Sequence, residues 1–93
     1  MYEVMGLTPP GEGRRAIEEG WVYPEGKLPV NVSGGLKAKG HPVGATGVSQ
    51  HVVSAMQLTG TAGAMQLPLA RRAVVQNMGG VGVANYVSVL EAV

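Results

Sequence analysis

The longest regular alternation of apolar and polar positions starts after a glycine-rich turn. Val48, Val52, Ala55, Met56 and Thr59 recur at spacings of three and four, which predicts an amphipathic helix over Pro42–Thr59. Pro42 suits the first helical turn, where its missing N–H does no harm, and Gly60 and Gly63 supply the stop. Downstream the period falls to two. Arg72–Asn77 (RAVVQN) predicts a strand, MGGVG a tight turn, and VANYVSVLEAV a second strand. In the latter Ala84, Tyr86, Ser88 and Leu90 share one face and Val83, Asn85, Val87 and Val89 the other. Both faces hold apolar residues, as in a sheet covered on both sides.

The signal upstream is weaker. Tyr2–Met5 reads as the tail of a helix closed by Gly6, LTPPGEG as a loop, and Gly13–Gly20 as a short exposed helix. WVYPEGKLP reads as a loop or a small hairpin, and Pro29–Val32 as a short strand that runs into the glycine turn. TAGAMQLPLA connects the long helix to the strands. The order strand, helix, strand, strand indicates an α/β unit, and 93 residues allow one small domain at most.

Charge changes this picture more than composition does. All six acidic and seven basic residues lie within Glu3–Lys39, at Arg71 and Arg72, and at Glu91. Gly40–Ala70 has no charged residue, only His41 and His51, and Ala73–Leu90 has none either. A helix or strand bathed in water normally shows charge on its outer face. Two long uncharged segments therefore predict elements covered on both sides, which this chain is too short to do alone. It is expected to assemble with copies of itself or with another chain, or to be a piece of a larger protein. The net charge of +1, with no basic run, argues against nucleic acid and an anionic membrane surface. No segment is long and apolar enough to span a membrane, and no basic region precedes an apolar core near Met1, so no signal peptide is expected. The chain has no cysteine, which excludes disulfides, thiolate metal sites and a cysteine nucleophile within it and fits a reducing, cytoplasmic setting.

The candidate chemistry lies in SGGLKAKGHPVGATG, where His41 is set among glycines. Read alone, His41 is either a polar residue capping a glycine turn or a side chain aimed at a ligand that glycines allow close to the backbone. His51 reads as a packed histidine inside the helix, and no metal-ligand spacing accompanies it. Lys37 and Lys39 read as solvated loop lysines.

The stretch NVSGGLKAKGHPVGATGVSQ resembles the C-terminal catalytic segment of thiolases, with its paired glycines followed by Gly-His-Pro-x-Gly-Ala-x-Gly. The segment QNMGGVGVANYVSVLE resembles the final thiolase hairpin, and together the likeness covers about Tyr2 to Glu91. Within the family it is most similar to the sterol-carrier-type and archaeal acetyl-CoA acetyltransferase branch. The resemblance implies a five-layered αβαβα condensing-enzyme fold, with residues 1–93 as part of its C-terminal domain and the Pro42–Thr59 helix buried between two sheets. It also implies the making or breaking of the carbon–carbon bond of a 3-ketoacyl-CoA, with CoA or acyl-CoA as substrate and no tightly bound cofactor or metal.

In that family a cysteine takes the acyl group, a histidine activates it, and a second acid/base residue moves the proton at the α-carbon. His41 matches the histidine. At a helix N-terminus the dipole would favour its neutral ring, able to accept a thiol proton or to hydrogen-bond an oxyanion. Gly40 and Gly44 would leave room for a thioester. Gln76 falls where the second acid/base residue stands, and an amide cannot exchange a proton near neutral pH. Met78 falls at the oxyanion-hole glycine, where its backbone N–H would survive the change. The resemblance thus implies either the C-terminal portion of a thiolase-type acyltransferase, inactive alone, or a non-catalytic remnant that binds acyl-CoA or serves assembly. Partners would be copies of the chain or a complementary chain carrying the thiolase N-terminal half.

Overall fold

In the computed structural model, which describes residues 1–93, Arg15–Glu18 forms a single helical turn, α1. It belongs to a unit spanning Met1–Gly35, and Leu36–Val93 form a second unit. The expected helix over Gly13–Gly20 shrinks to α1 because glycine bounds it at both ends, Gly20 with φ 72°. Ala16 is fully buried and accepts the backbone N–H of Trp21 at 2.9 Å. The preceding loop is held by one carboxylate: Gly11 and Gly13 donate their backbone N–H groups to Glu3, at 2.6 and 3.2 Å. Arg15 pairs with Glu19 at 2.7 Å and Glu12 at 3.4 Å, and the hydrogen bond and charge of Glu19 raise its pKa above the ordinary arginine value. Over the Trp21 ring lie two cations, Lys27 Nζ at 4.1 Å and the Arg15 guanidinium at 5.5 Å from its centre.

Trp21–Pro29 is a narrow loop, with Leu28 donating to Trp21 O and Val30 to Val22 O around a Tyr23–Gly26 turn. Pro29–Val32 is not a strand, contrary to the expectation from its valines. Pro29 has no N–H for a ladder, and Asn31 adopts a left-handed φ of 50° that curls the chain into a turn closed by Gly34 N–H on Asn31 O. Tyr2–Met5 is one turn, ended by Gly6 at φ 82°.

The second unit holds a short helix, α2 (Gly35–Lys39), whose first residue closes the first unit, and a longer helix, α3 (Thr46–Leu58). A 3₁₀ turn at Gly63–Met65 precedes two strands, β1 (Arg72–Gly79) and β2 (Ala84–Glu91). The expectation that the long helix starts at Pro42 is corrected. Gly44 has φ 88°, outside the helical region, so Pro42–Ala45 makes a turn and α3 begins at Thr46. Nor did the glycines around it announce α2.

The hairpin pairs antiparallel from Arg72 opposite Glu91 to Gly79 opposite Ala84, each strand bonded along one edge only. Ala73, Val75 and Asn77 share a face with Leu90, Ser88 and Tyr86, and α3 packs on it. The helix meets that face through Gly47 and His51, not through the predicted apolar stripe. Val48 and Val52 of that stripe are 67% and 51% exposed. Val74, Val87 and Val89, on the far face of the hairpin, are also exposed. The α/β character holds, but within this chain α3 is covered along one side only.

The end of α3 is tied to the following loop by two glutamines. Buried Gln57 donates from Nε2 to Met65 O at 2.7 Å and accepts Leu67 N–H at 2.9 Å. Gln66 accepts Ala62 N–H and donates to Gln57 O and Leu67 O. Ala62 is buried beneath this lacing.

Candidate functional site

Between the start of α3 and the tip of the hairpin lies an open cavity of about 630 Å³. His41, Gly44, Thr46 and His51 line it on the helical side, and Asn77, Met78, Gly79 and Tyr86 on the strand side. The two segments singled out in the sequence, Gly-His-Pro and the glycine-rich turn, therefore meet at one place. What makes the approach possible is Gly47. A Cβ there would fall 2.6 Å from Asn77 Nδ2, so any other residue would push the Asn77 amide off the cavity wall.

His41 sits five positions before the first residue of α3, not in its first turn, and its expected exposure to the helix dipole weakens accordingly. The link to the helix is instead a hydrogen bond: His41 Nδ1 lies 2.6 Å from Thr46 Oγ1. Thr46 is buried, and its hydroxyl donates to Pro42 O at 3.2 Å. The same carbonyl receives the N–H groups of Ala45 and Thr46, so the whole His41–Thr46 turn closes on Pro42.

Of the other candidates, Gly44 and Met78 line the cavity, whereas Gly40 and Gln76 do not. Gly40 and Gly44 have φ of 90° and 88°, and a Cβ on either would meet open space. Their glycine identity is set by backbone conformation, with clear room beside both. Gln76 is on the hairpin face opposite Asn77. Its amide donates to Asn85 Oδ1 at 3.2 Å, and Asn85 donates onward to Gly82 O at 2.9 Å, a chain that braces the turn. Met78, the last residue but one of β1, pairs with Asn85. Lys39 hydrogen-bonds the Ser49 hydroxyl, and Lys37 lies exposed on α2.

Sequence reasoning treated His51 as packing alone, and the structure gives it more. Its Nδ1 lies 2.7 Å from Gly47 O and its Nε2 2.9 Å from Ser88 Oγ. A carbonyl only accepts, so Nδ1 carries the proton and Nε2 of the neutral ring accepts from Ser88. His51 thus pins α3 to β2 while lining the cavity that His41 enters. Asn77 and Tyr86 were likewise seen in the sequence only as strand positions. The Gly47–His51 spacing on one helix face was the available signal, but Ser88 lies too far along the chain to be paired with it by pattern.

Similarity to known proteins covers most of this chain. It is 48% identical over 80 residues to the acetyl-CoA acetyltransferase of Methanothermobacter thermautotrophicus, covering 86% of this chain and 21% of that protein. To human sterol carrier protein 2 it is 45% identical over 78 residues, 84% of this chain and 14% of that protein. To the benzoylsuccinyl-CoA thiolase subunit BbsB of Thauera aromatica it is 36% identical over 80 residues, 85% of this chain and 21% of that protein. The chain thus spans about a fifth or less of the length of these relatives. The family described as thiolase C-terminal domain-like matches residues 1–92, and the chain belongs to it.

Proposed function

We propose that this chain supplies the histidine-bearing part of a thiolase-type acyl-transfer site acting on acyl-CoA, with His41 as the base. The observation that carries the reading is the meeting of His41 and Gly44 with Asn77, Met78 and Gly79 around one cavity. An imidazole beside unhindered glycine backbone suits a group that accepts a thiol proton while a thioester lies alongside. The chain has no cysteine, so the acyl-accepting thiolate comes from further polypeptide, joined to this chain or separate from it. Val48 at the cavity and Val52 further along α3 are both exposed, which supports an additional layer of protein against this helix, from a copy or from a complementary thiolase half.

The test is CoA-dependent cleavage of acetoacetyl-CoA. The pure chain is expected to be inactive. Addition of a thiolase-type chain that carries the cysteine but lacks its own C-terminal segment is expected to restore turnover, and His41→Ala to abolish it. Cleavage by the pure chain, or equal rescue by His41→Ala, would sink the reading.

A second reading is favoured by Gln76, an amide engaged with Asn85 rather than a proton carrier. Here the chain is a non-catalytic remnant that binds acyl-CoA or serves assembly. Calorimetric binding of acetyl-CoA by the pure chain, with no rescue in the mixing assay, is the outcome that selects it.

A further inference from the structure

Beyond the assignment of His41 as base, on which this inference rests, we propose that Thr46 is a positioning residue: it fixes the tautomer of His41 so that Nε2 is the bare nitrogen presented to substrate. The argument is one of proton counting. The Thr46 hydroxyl has a single proton and two neighbours, Pro42 O at 3.2 Å and His41 Nδ1 at 2.6 Å. A carbonyl oxygen cannot donate, so the Thr46–Pro42 bond has one direction, and with the hydroxyl proton placed there the hydroxyl oxygen accepts on its other side. The proton in the His41–Thr46 bond is therefore carried by Nδ1. In the neutral ring the lone pair then belongs to Nε2, which makes no hydrogen bond within the chain.

The local fold builds this arrangement. Gly44 at φ 88° turns the chain back, Pro42 O gathers the backbone N–H groups of Ala45 and Thr46, and Thr46 opens α3 as a buried residue. His41 is swung over that residue and held by it, while the rest of its ring stays exposed to the cavity. When a proton is taken from a thiol it arrives at Nε2. The imidazolium so formed keeps its Nδ1–H on Thr46, so the ring need not turn during transfer. His51 reaches the same tautomer by a different route, through Gly47 O, and serves as an internal comparison.

The test is a long-range ¹H–¹⁵N correlation spectrum of the full chain with labelled histidine, above the pH of imidazole titration. Both histidines are expected to show the Nδ1–H form. In Thr46→Val, which keeps the shape and removes the hydroxyl, His41 is expected to lose that form to an average of the two tautomers while His51 keeps it. Thr46→Ser is expected to restore it. An Nε2–H signature for His41 in the unaltered chain overturns the proposal, as does an unchanged His41 in Thr46→Val with His51 intact. If Thr46→Val unfolds, seen as loss of the His51 signature, Thr46→Ser decides: retained Nδ1–H supports the proposal and Nε2–H overturns it. Absent acyl transfer in the mixing assay with the tautomer in place would instead remove the role of His41 as base and leave the hydrogen-bond assignment standing, so the two failures are separable.

Discussion

Removing the Gln57 side chain should cost this protein a large part of its stability. Gln57→Ala deletes two hydrogen bonds, to Met65 O at 2.7 Å and from Leu67 N–H at 2.9 Å. Each is worth about 0.5–1.5 kcal/mol net, and leaving half-buried backbone groups without partners adds a desolvation penalty of about 1 kcal/mol or more. The expected loss is about 2–4 kcal/mol. Domains of this length hold roughly 5–14 kcal/mol in total. Urea denaturation of the full chain, followed by far-UV circular dichroism, reads the loss. With a slope of about 1.5 kcal/mol per molar, the midpoint should fall by roughly 1–3 M. Gln57→Glu supplies a second arm with a defined sign. Burial and the facing Met65 carbonyl should raise the carboxyl pKa in the folded state above its unfolded value of about 4.3. The protonated acid can still donate to Met65 O, so stability is fully present below the unfolded pKa and is lost as pH rises through the folded one. A Gln57→Ala loss under about 0.5 kcal/mol, or a pH-independent Gln57→Glu, would refute the claim that this side chain organises the loop.

Three further outcomes follow from named contacts. Val81 holds φ 33° at the hairpin tip with its side chain fully in solvent, so Val81→Gly relieves strain and loses no contact; a gain of about 0.5–1 kcal/mol is expected in thermal melts. Gly47→Ala should stay within about 1 kcal/mol of the parent, because better helix propensity offsets the crowding, yet it should displace the Asn77 side chain and shift its amide resonances. His51→Ala and Ser88→Ala should be non-additive, with a coupling of about 1 kcal/mol in a double-mutant cycle, since each removes the same bond.

The hairpin was legible because its two-residue period is a local property. Alternation placed Ser88 and Tyr86 on one face and Val87 and Val89 on the other, and the register agrees. The body of α3 was legible for the same reason. Its start was not, because Pro42 suits a helical first turn while the conformation of Gly44 is invisible to pattern. The packing face of α3 was misread more deeply. Hydrophobicity points to Val48 and Val52, but what meets the sheet is Gly47, which lets the backbones approach, and His51, which finds Ser88. At the site, His41 and Gly44 stood out through their motif. The cavity's other wall, Asn77 and Tyr86, depended on strand pairing across the hairpin turn. Gln76 was legible as a residue type unfit for proton transfer, and its bond to Asn85 could be found only from the fold.

The two-stranded sheet described above has a consequence for how this polypeptide can be handled and stored. Both outer edges of the hairpin present unpaired N–H and C=O groups along valine-rich sequence, and charge guards only the open end, where Arg72 faces Glu91 at 2.9 Å. Such edges recruit further strands. Concentration is therefore expected to govern the chain's shelf life, with β-rich assemblies forming in concentrated samples before dilute ones. A lysine placed at outward-facing Val87 or Val89 is the gatekeeper that the sequence omits.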